Sequence, residues 1–221
     1  MTLDLHRFPC RRGAPDEPRS SPPWGRWPPS AATAAAPCGG PVGQGCCGRK
    51  VVGSASRGTS LAVVDEVQIV RIGPDEWCEF REVRLAALRD APGAFGASYA
   101  DWVEADESRW RQRLSDVPFT LVARSTDAPV GVVSGAESGD AVELISMWVA
   151  PDHRGTGLAG RLVGQVVAWA AGRGRDTFLM VRDDNEAAIR SYARAGFVDL
   201  GIPDGWPPDA PPERRMRHSS S

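Results

Sequence analysis

Beyond about residue 65 the apolar positions of the chain change period several times, and each change marks an element. Residues 67–72 (VQIVRI) form a short β-like run closed by Gly73-Pro74. Apolar residues then recur at Trp77, Phe80, Val83, Ala87 and Leu88. That spacing predicts a helix, with Pro74 and several acids near its start and Ala91-Pro92-Gly93 at its end. A looser stretch (94–106) leads to a second predicted helix over 107–115. Two strands, 119–125 and 129–136, are joined by Thr126-Asp127-Ala128 as a hairpin turn. A long strand follows at 141–149, then a helix over 158–172 with Leu158, Leu162, Val166, Trp169 and Ala170 along one side. A strand at 177–181, a helix at 186–196 and a strand at 197–202 come next, and the charged segment 211–218 is expected as a last edge strand. Strand, helix and strand from 141 to 181 make a parallel βαβ unit, which should cross over right-handed.

The first 64 residues lack any such period. Eighteen of them are Gly or Pro and nine are Leu, Ile, Val or Phe. This composition cannot repay the entropy of ordering a backbone, so 1–64 is expected to be a disordered low-complexity arm and 65–218 the folded domain. The chain also has a single lysine, Lys50, amid abundant Ala, Gly, Arg and Pro. A GC-rich gene would give this bias, and a start near Val63, Val64 or Val67 would leave the arm outside the natural protein. Charge divides at the same boundary. The arm holds eight basic and three acidic residues, whereas 65–221 holds 18 arginines and 25 acids. An acidic domain argues against nucleic acid as a partner and favours a cationic one only weakly.

Four of the five cysteines lie in the arm, Cys78 stands apart, and His6, His153 and His218 are far from one another. With no paired ligand spacing, no metal is expected. The odd cysteine count points to reduced thiols and a cytoplasmic setting. No window reaches the roughly 18 apolar residues that cross a membrane, and no secretory leader pattern is visible, so no membrane partner is expected.

Gly155-Thr156-Gly157-Leu158-Ala159-Gly160 fits the dinucleotide fingerprint letter for letter. Its context does not. Four residues separate the strand from the first glycine, and Asp176 precedes the next strand instead of ending it. The same physics suits another phosphate ligand: a helix N-terminus offers unpaired N–H groups, glycines let an anion approach them, and Arg154 can add a charge-assisted contact. A Walker motif is absent.

Val149-x-Pro151-x-x-Arg154-Gly155-x-Gly157-x-Ala159 resembles motif A of the GNAT superfamily of N-acetyltransferases, and Asn185-x-x-Ala188-x-x-x-Tyr192-x-x-x-Gly196-Phe197 resembles that family's second signature. Both stand in the family's order with the expected strand between them. The resemblance is most specific from Glu143 to Phe197 and extends loosely over 67–217. It implies an α/β domain of mixed α+β type: a mostly antiparallel sheet with a central parallel strand pair and flanking helices.

The resemblance also implies a chemistry, the acylation of a primary amine by acetyl-CoA through direct attack in a ternary complex. Amides around Arg154, Gly155, Thr156, Gly157, Leu158 and Ala159 would hold the CoA diphosphate. Met147, Trp148 and Val149 would pair with the pantetheine arm between two splaying strands, and Asn185 would meet it from the other side. Tyr192 matches the tyrosine that protonates the departing thiolate, and Glu143 matches the position of a general base in some members. Ser146 and His153 rank behind Glu143, and His153 is expected to lie exposed in its turn. The acceptor, a small-molecule or a peptide or protein amine, would meet residues 88–114, with Tyr99, Asp101, Trp102 and Glu104 as candidates. A homodimer is an allowed assembly. The competing reading within the same fold is an inactive acyl-CoA-binding sensor.

Overall fold

The computed structural model describes residues 66–126 and 128–220. The expected arm (1–64), the alternative starts at Val63 and Val64, and Asp127 of the expected turn lie outside these residues. In chain order the elements are β1 (Gln68–Ile72), a 3-10 turn (Pro74–Glu76), α1 (Trp77–Asp90), α2 (Tyr99–Val103), α3 (Glu107–Asp116), β2 (Phe119–Arg124), β3 (Pro129–Ser138) and β4 (Ala141–Val149). A second 3-10 turn (Pro151–His153), α4 (Leu158–Ala171), β5 (Thr177–Arg182), α5 (Glu186–Arg194), β6 (Val198–Asp199) and β7 (Glu213–His218) complete it. All the strands join one sheet in the order β1-β2-β3-β4-β5-β7-β6. Every neighbouring pair is antiparallel except β4 and β5, the central parallel pair.

Three local expectations are corrected. The segment read as loose contains α2, whose start is fixed by reciprocal bonds between Ser98 and Asp101: Asp101 N donates to Ser98 Oγ at 3.3 Å and Ser98 N donates to Asp101 Oδ2 at 2.8 Å. The strand expected over 197–202 is only β6, two residues long, and β6 is the sheet edge. The segment expected at the edge, β7, lies between β5 and β6. Its arginines are matched by acids on neighbouring segments: Arg214 pairs with Asp183 and with Asp199, and Arg217 with Asp176. Met216 between them is fully buried.

The sheet separates two cores. On one face α4 lays Leu158, Leu162, Val163 and Val166 against Leu121, Val133, Leu144 and Leu179. On the other, Phe80, Val83 and Leu88 of α1 and Trp110 and Leu114 of α3 pack against Val122, Val132 and Trp148. Alternate residues of β2 and β3 therefore serve opposite cores, as the period of two requires. Helix α4 approaches β3 closely at Gly135, where a Cβ would lie 3.0 Å from the Trp169 ring. Among the described residues no helix is long and apolar enough to cross a membrane.

Candidate active site

Strand β4 changes phase in its middle. Between the pairs Val132↔Trp148 and Ser134↔Ile145, two residues of β4 face one of β3, and Ser146 takes φ 58. This is a β-bulge, and the extra residue reverses the alternation. Val142 and Leu144 enter the α4 core, yet after the bulge it is Met147 and Val149 that do so, and Trp148 turns to the α1 core. There Trp148 Nε1 donates to Asp90 Oδ2 at 2.8 Å.

The partner strand diverges over the same stretch. Strands β4 and β5 pair only at Val142↔Thr177 and Glu143↔Phe178. Beyond them the β5-facing backbone of β4 has no strand partner, and a cavity of about 280 Å³ opens between the two. Glu143, Ser146 and Met147 line it from β4, Met180 and Arg182 from β5, and Asn185 and Tyr192 from α5. Two expected catalytic residues and two expected cofactor contacts thus share one cavity.

Glu143 is buried, 9% exposed. Loss of hydration pushes its carboxyl above the usual carboxylate range, with Arg215 opposing and Glu213 reinforcing the shift. Burial likewise pushes the Tyr192 phenol above the ordinary tyrosine range, so it stays protonated at neutral pH. The Tyr192 ring leans on Phe197 with centroids 5.8 Å apart. Asn185 Oδ1 accepts from Ala188 N at 3.1 Å, capping α5. Its side-chain amide nitrogen donates to no described residue.

Past β4 the chain turns through Pro151–His153 into the glycine segment. Gly155 (φ 77) and Gly157 (φ 85) occupy left-handed backbone that disfavours other residues, and an added Cβ at either would meet nothing within 4 Å. Thr156 Oγ1 donates to His153 O at 2.8 Å and tightens the turn. Arg161 N is the first amide of α4 to find a carbonyl, that of Gly157. The backbone N–H groups of residues 155–160 donate to no other described residue. Open space, left-handed glycines and consecutive free donors at a helix start form a cradle that fits a phosphate-bearing ligand.

Arg154 is held beside this cradle. Its Nε donates to Val149 O at 3.0 Å and its Nη2 to Asp90, the residue that also takes Trp148. The Trp148 and Arg154 bonds hold the Asp90 carboxyl below the usual range. Asp90, at the end of α1, thereby ties the end of β4 to the loop before α4. The other expected residues stand apart. Leu158 is buried in the α4 core. His153 is half-buried in its turn, not exposed, and does not line the cavity. Of the acceptor-side candidates, Trp102 lines the cavity, while Tyr99 hydrogen-bonds Arg89 at 2.8 Å on the surface.

Of the charged lining residues, Arg84, Arg182 and Glu213 escaped the sequence reading, and Arg113 was covered only by the range 88–114. A signal for Arg84 existed, since it falls within the apolar stripe Phe80, Val83, Ala87, Leu88, where a charge is out of place. Asp90 carried no such signal, because its partners lie 58 and 64 residues away. Among the described residues no group of three or more His, Cys, Asp or Glu is arranged to hold a metal.

Comparison with known proteins gives a consistent picture. The profile of the "Acetyltransferase (GNAT) family" matches residues 78–197. An N-acetyltransferase of Methanocaldococcus jannaschii is 30% identical over 106 residues, a match covering 44% of this chain and 46% of that relative. The chain thus spans less than half of that relative's length. An acetyltransferase of Yersinia enterocolitica is 31% identical over 97 residues, covering 43% of this chain and 69% of the relative. Among solved structures, an acetyltransferase of the GNAT family from Streptococcus pneumoniae superposes with a TM-score of 0.57 at 19% identity, covering 69% of this chain and 97% of that one. The yncA protein of Salmonella typhimurium, solved with its cofactor acetyl-CoA, gives 0.54 at 19% identity, covering 71% of this chain and 95% of that one. At these identities the structural likeness speaks for the fold.

Proposed function

The chain belongs to the acetyltransferase (GNAT) family, and from that premise we propose that it moves an acetyl group from acetyl-CoA to a primary amine by direct attack in a ternary complex. The observation that carries this reading is the conjunction of a free-amide cradle at residues 155–160 with a cavity opening where β4 and β5 part. The cradle would take the diphosphate of CoA. The unpaired edge of β4 at Met147–Val149 would take the amide-bearing arm, with the Asn185 side chain facing it. When bound, acetyl-CoA supplies an activated thioester.

An amine that is an ammonium at neutral pH cannot attack, because its reference pKa is about 8 to 10.4. Glu143 is the base that takes this proton, directly or through one water. The neutral nitrogen then forms a C–N bond to the thioester carbonyl as the C–S bond breaks. A backbone N–H of the β4 stretch stabilises charge gathering on the carbonyl oxygen. Tyr192 would give its phenolic proton to the departing sulfur and be reprotonated, through water, by the second proton that the acylated nitrogen sheds. The products are the acetamide, free thiol CoA and the proton left on Glu143.

The test is thiol release from acetyl-CoA across a panel of amines, for the wild type and Tyr192→Phe. The wild type should turn over at least one amine, and Tyr192→Phe should lower kcat roughly a hundredfold, the scale of a lost general acid, with acetyl-CoA affinity within about twofold by calorimetry. An unchanged rate removes Tyr192 from the mechanism. Acetyl-CoA binding without turnover of any amine would favour a sensor instead.

A further inference from the structure

The cavity is lined by three arginines, Arg84, Arg113 and Arg182; Arg182 pairs with Asp184, whereas the other two are unusually placed. Arg84, on α1, is 8% exposed, and its Nη1 is buried with no hydrogen-bond partner. Arg113, on α3, likewise buries an unpartnered Nη1, while its Nη2 donates to Ser146 Oγ at 3.3 Å, on the bulge of β4. Neither forms an ion pair with any described carboxylate. Aromatic rings hold the two guanidinium groups, with Arg84 4.5 Å from the Phe95 centroid and Arg113 5.9 Å from that of Phe80. Glu143 and Glu213 line the same cavity from β4 and β7.

Two guanidinium groups taken out of water beside each other, with no carboxylate in direct contact and only the more distant charge of Asp116 favouring Arg113, are a costly arrangement unless a ligand supplies the anion. Both remain cations at neutral pH. Burial, aided by the neighbouring charge of Arg113, lowers Arg84 to about 9, and burial lowers Arg113 to about 10. The carboxylates Glu143 and Glu213 suit the opposite requirement, an incoming ammonium. Because the volume of about 280 Å³ must also admit the acyl end of the donor, the part of the acceptor that enters it is small.

We propose that the acceptor is an amino acid, its carboxylate held by the unpartnered N–H groups of Arg84 and Arg113 and its amine presented toward Glu143. This rests on the acetyl-transfer reading and narrows it from any amine to a carboxylate-bearing one. A planar, bidentate fork is the side chain suited to a carboxylate, and two forks from separate helices would fix its orientation.

The experiment compares each of the common amino acids with its decarboxylated amine and its methyl ester, using the full chain, acetyl-CoA and thiol release. At least one amino acid should exceed both of its carboxylate-free counterparts by about tenfold or more in kcat/KM. In Arg84→Gln, and separately in the more exposed Arg113→Gln, that ratio should fall toward one through KM for the amino acid. Acetyl-CoA affinity should stay within about twofold, which also reports that each variant is folded. Equal rates for amino acids and their decarboxylated amines would overturn the proposal while leaving acetyl transfer standing. So would a preference for succinyl-CoA over acetyl-CoA that disappears in Arg84→Gln, since the arginines would then be reading the donor. Turnover of no amine at all would defeat the acetyl-transfer reading and the proposal with it.

Discussion

Glu143 is asked to be both buried and ionised, and this conflict makes it measurable. Its carboxyl is raised by loss of hydration, with Glu213 adding to the shift and Arg215 opposing it. The folded state therefore keeps the proton to higher pH than the unfolded chain, whose glutamates titrate near 4.3. Stability is unaffected below that unfolded value, falls as pH rises through it toward the folded one, and carries the full cost of the buried charge above both. Glu143→Gln removes the cost. We expect its Tm at pH 8 to exceed that of the wild type by about 2–4 °C, the shift that roughly 1 kcal/mol produces in a domain of this size, and the gain to vanish near pH 4. In activity the sign is opposite: the proposed base would work ionised, so the wild-type kcat/KM should rise with pH along a limb above the ordinary glutamate range, and this limb should be missing in Glu143→Gln. A thermal melt at the two pH values and a pH–rate profile check both. A variant no more stable than the wild type at pH 8 contradicts the burial argument, and a retained acid limb removes Glu143 as base. The position of Glu143 was readable from its distance to Val149 and the family pattern. Its burial and the company of Glu213 were not, because Glu213 reaches the cavity from the far end of the chain.

At the scale of elements, the proposed cofactor site rests on the start of α4, where Gly157 is the N-cap in left-handed backbone. Any side chain there meets open space but costs about 1–2 kcal/mol of backbone strain. Gly157→Ala isolates that strain, whereas Gly157→Glu adds a carboxylate beside the amides that would bind phosphate. We expect similar Tm losses in the two variants. Acetyl-CoA affinity should fall roughly thirtyfold further in the glutamate variant, equivalent to about 2 kcal/mol of charge-assisted bonding. Calorimetry of both variants checks this, and equal affinities would place the diphosphate elsewhere. Element legibility followed period. The strands and helices with sustained apolar spacing were readable, α4 almost to the residue. Helix α2 was missed because five residues carry too little period, although Ser98 and Asp101 spelled its cap. The bulge was not legible at all: the run from Ala141 to Val149 reads as an unbroken strand, and only pairing with β3 shows that Ser146 is extra and that Trp148 turns to the α1 face. The glycine motif could be read, but Arg154's engagement by Asp90 could not, since it needs α1 and the end of β4 brought together.

For the molecule as a whole, the described residues 66–220 hold two clusters of buried apolar residues, one on each face of the sheet. The described chain enters the sheet at β1, where Val67 packs on the α4 core and its carbonyl accepts from Arg161 Nη2 at 3.1 Å. Among the described residues, the buried apolar residues other than Val117 and Ala136 fall into one of the two clusters. The order of strands, by contrast, was hidden: hydrophobic period cannot say that β7 inserts between β5 and β6, where its Arg214 and Arg217 are answered by Asp176, Asp183 and Asp199. One edge of the sheet is β1, whose outer backbone groups have no strand beside them among the described residues. An edge of this kind can accept a further strand, so the first 64 residues pose a structural question with two distinct answers. We propose that residues 65–221 form an autonomous domain. A protein of those residues should then melt within about 2 °C of the full chain and bind acetyl-CoA with the same affinity. The balance of +5 in residues 1–64 against −7 in the remainder should show only as a weak dependence of the full chain's Tm on salt, because exposed charges are screened over about 10 Å at 0.1 M. A loss of more than about 5 °C in the shortened protein, in salt, would mean that the preceding residues add structure along β1, and that the domain begins earlier than its two cores suggest.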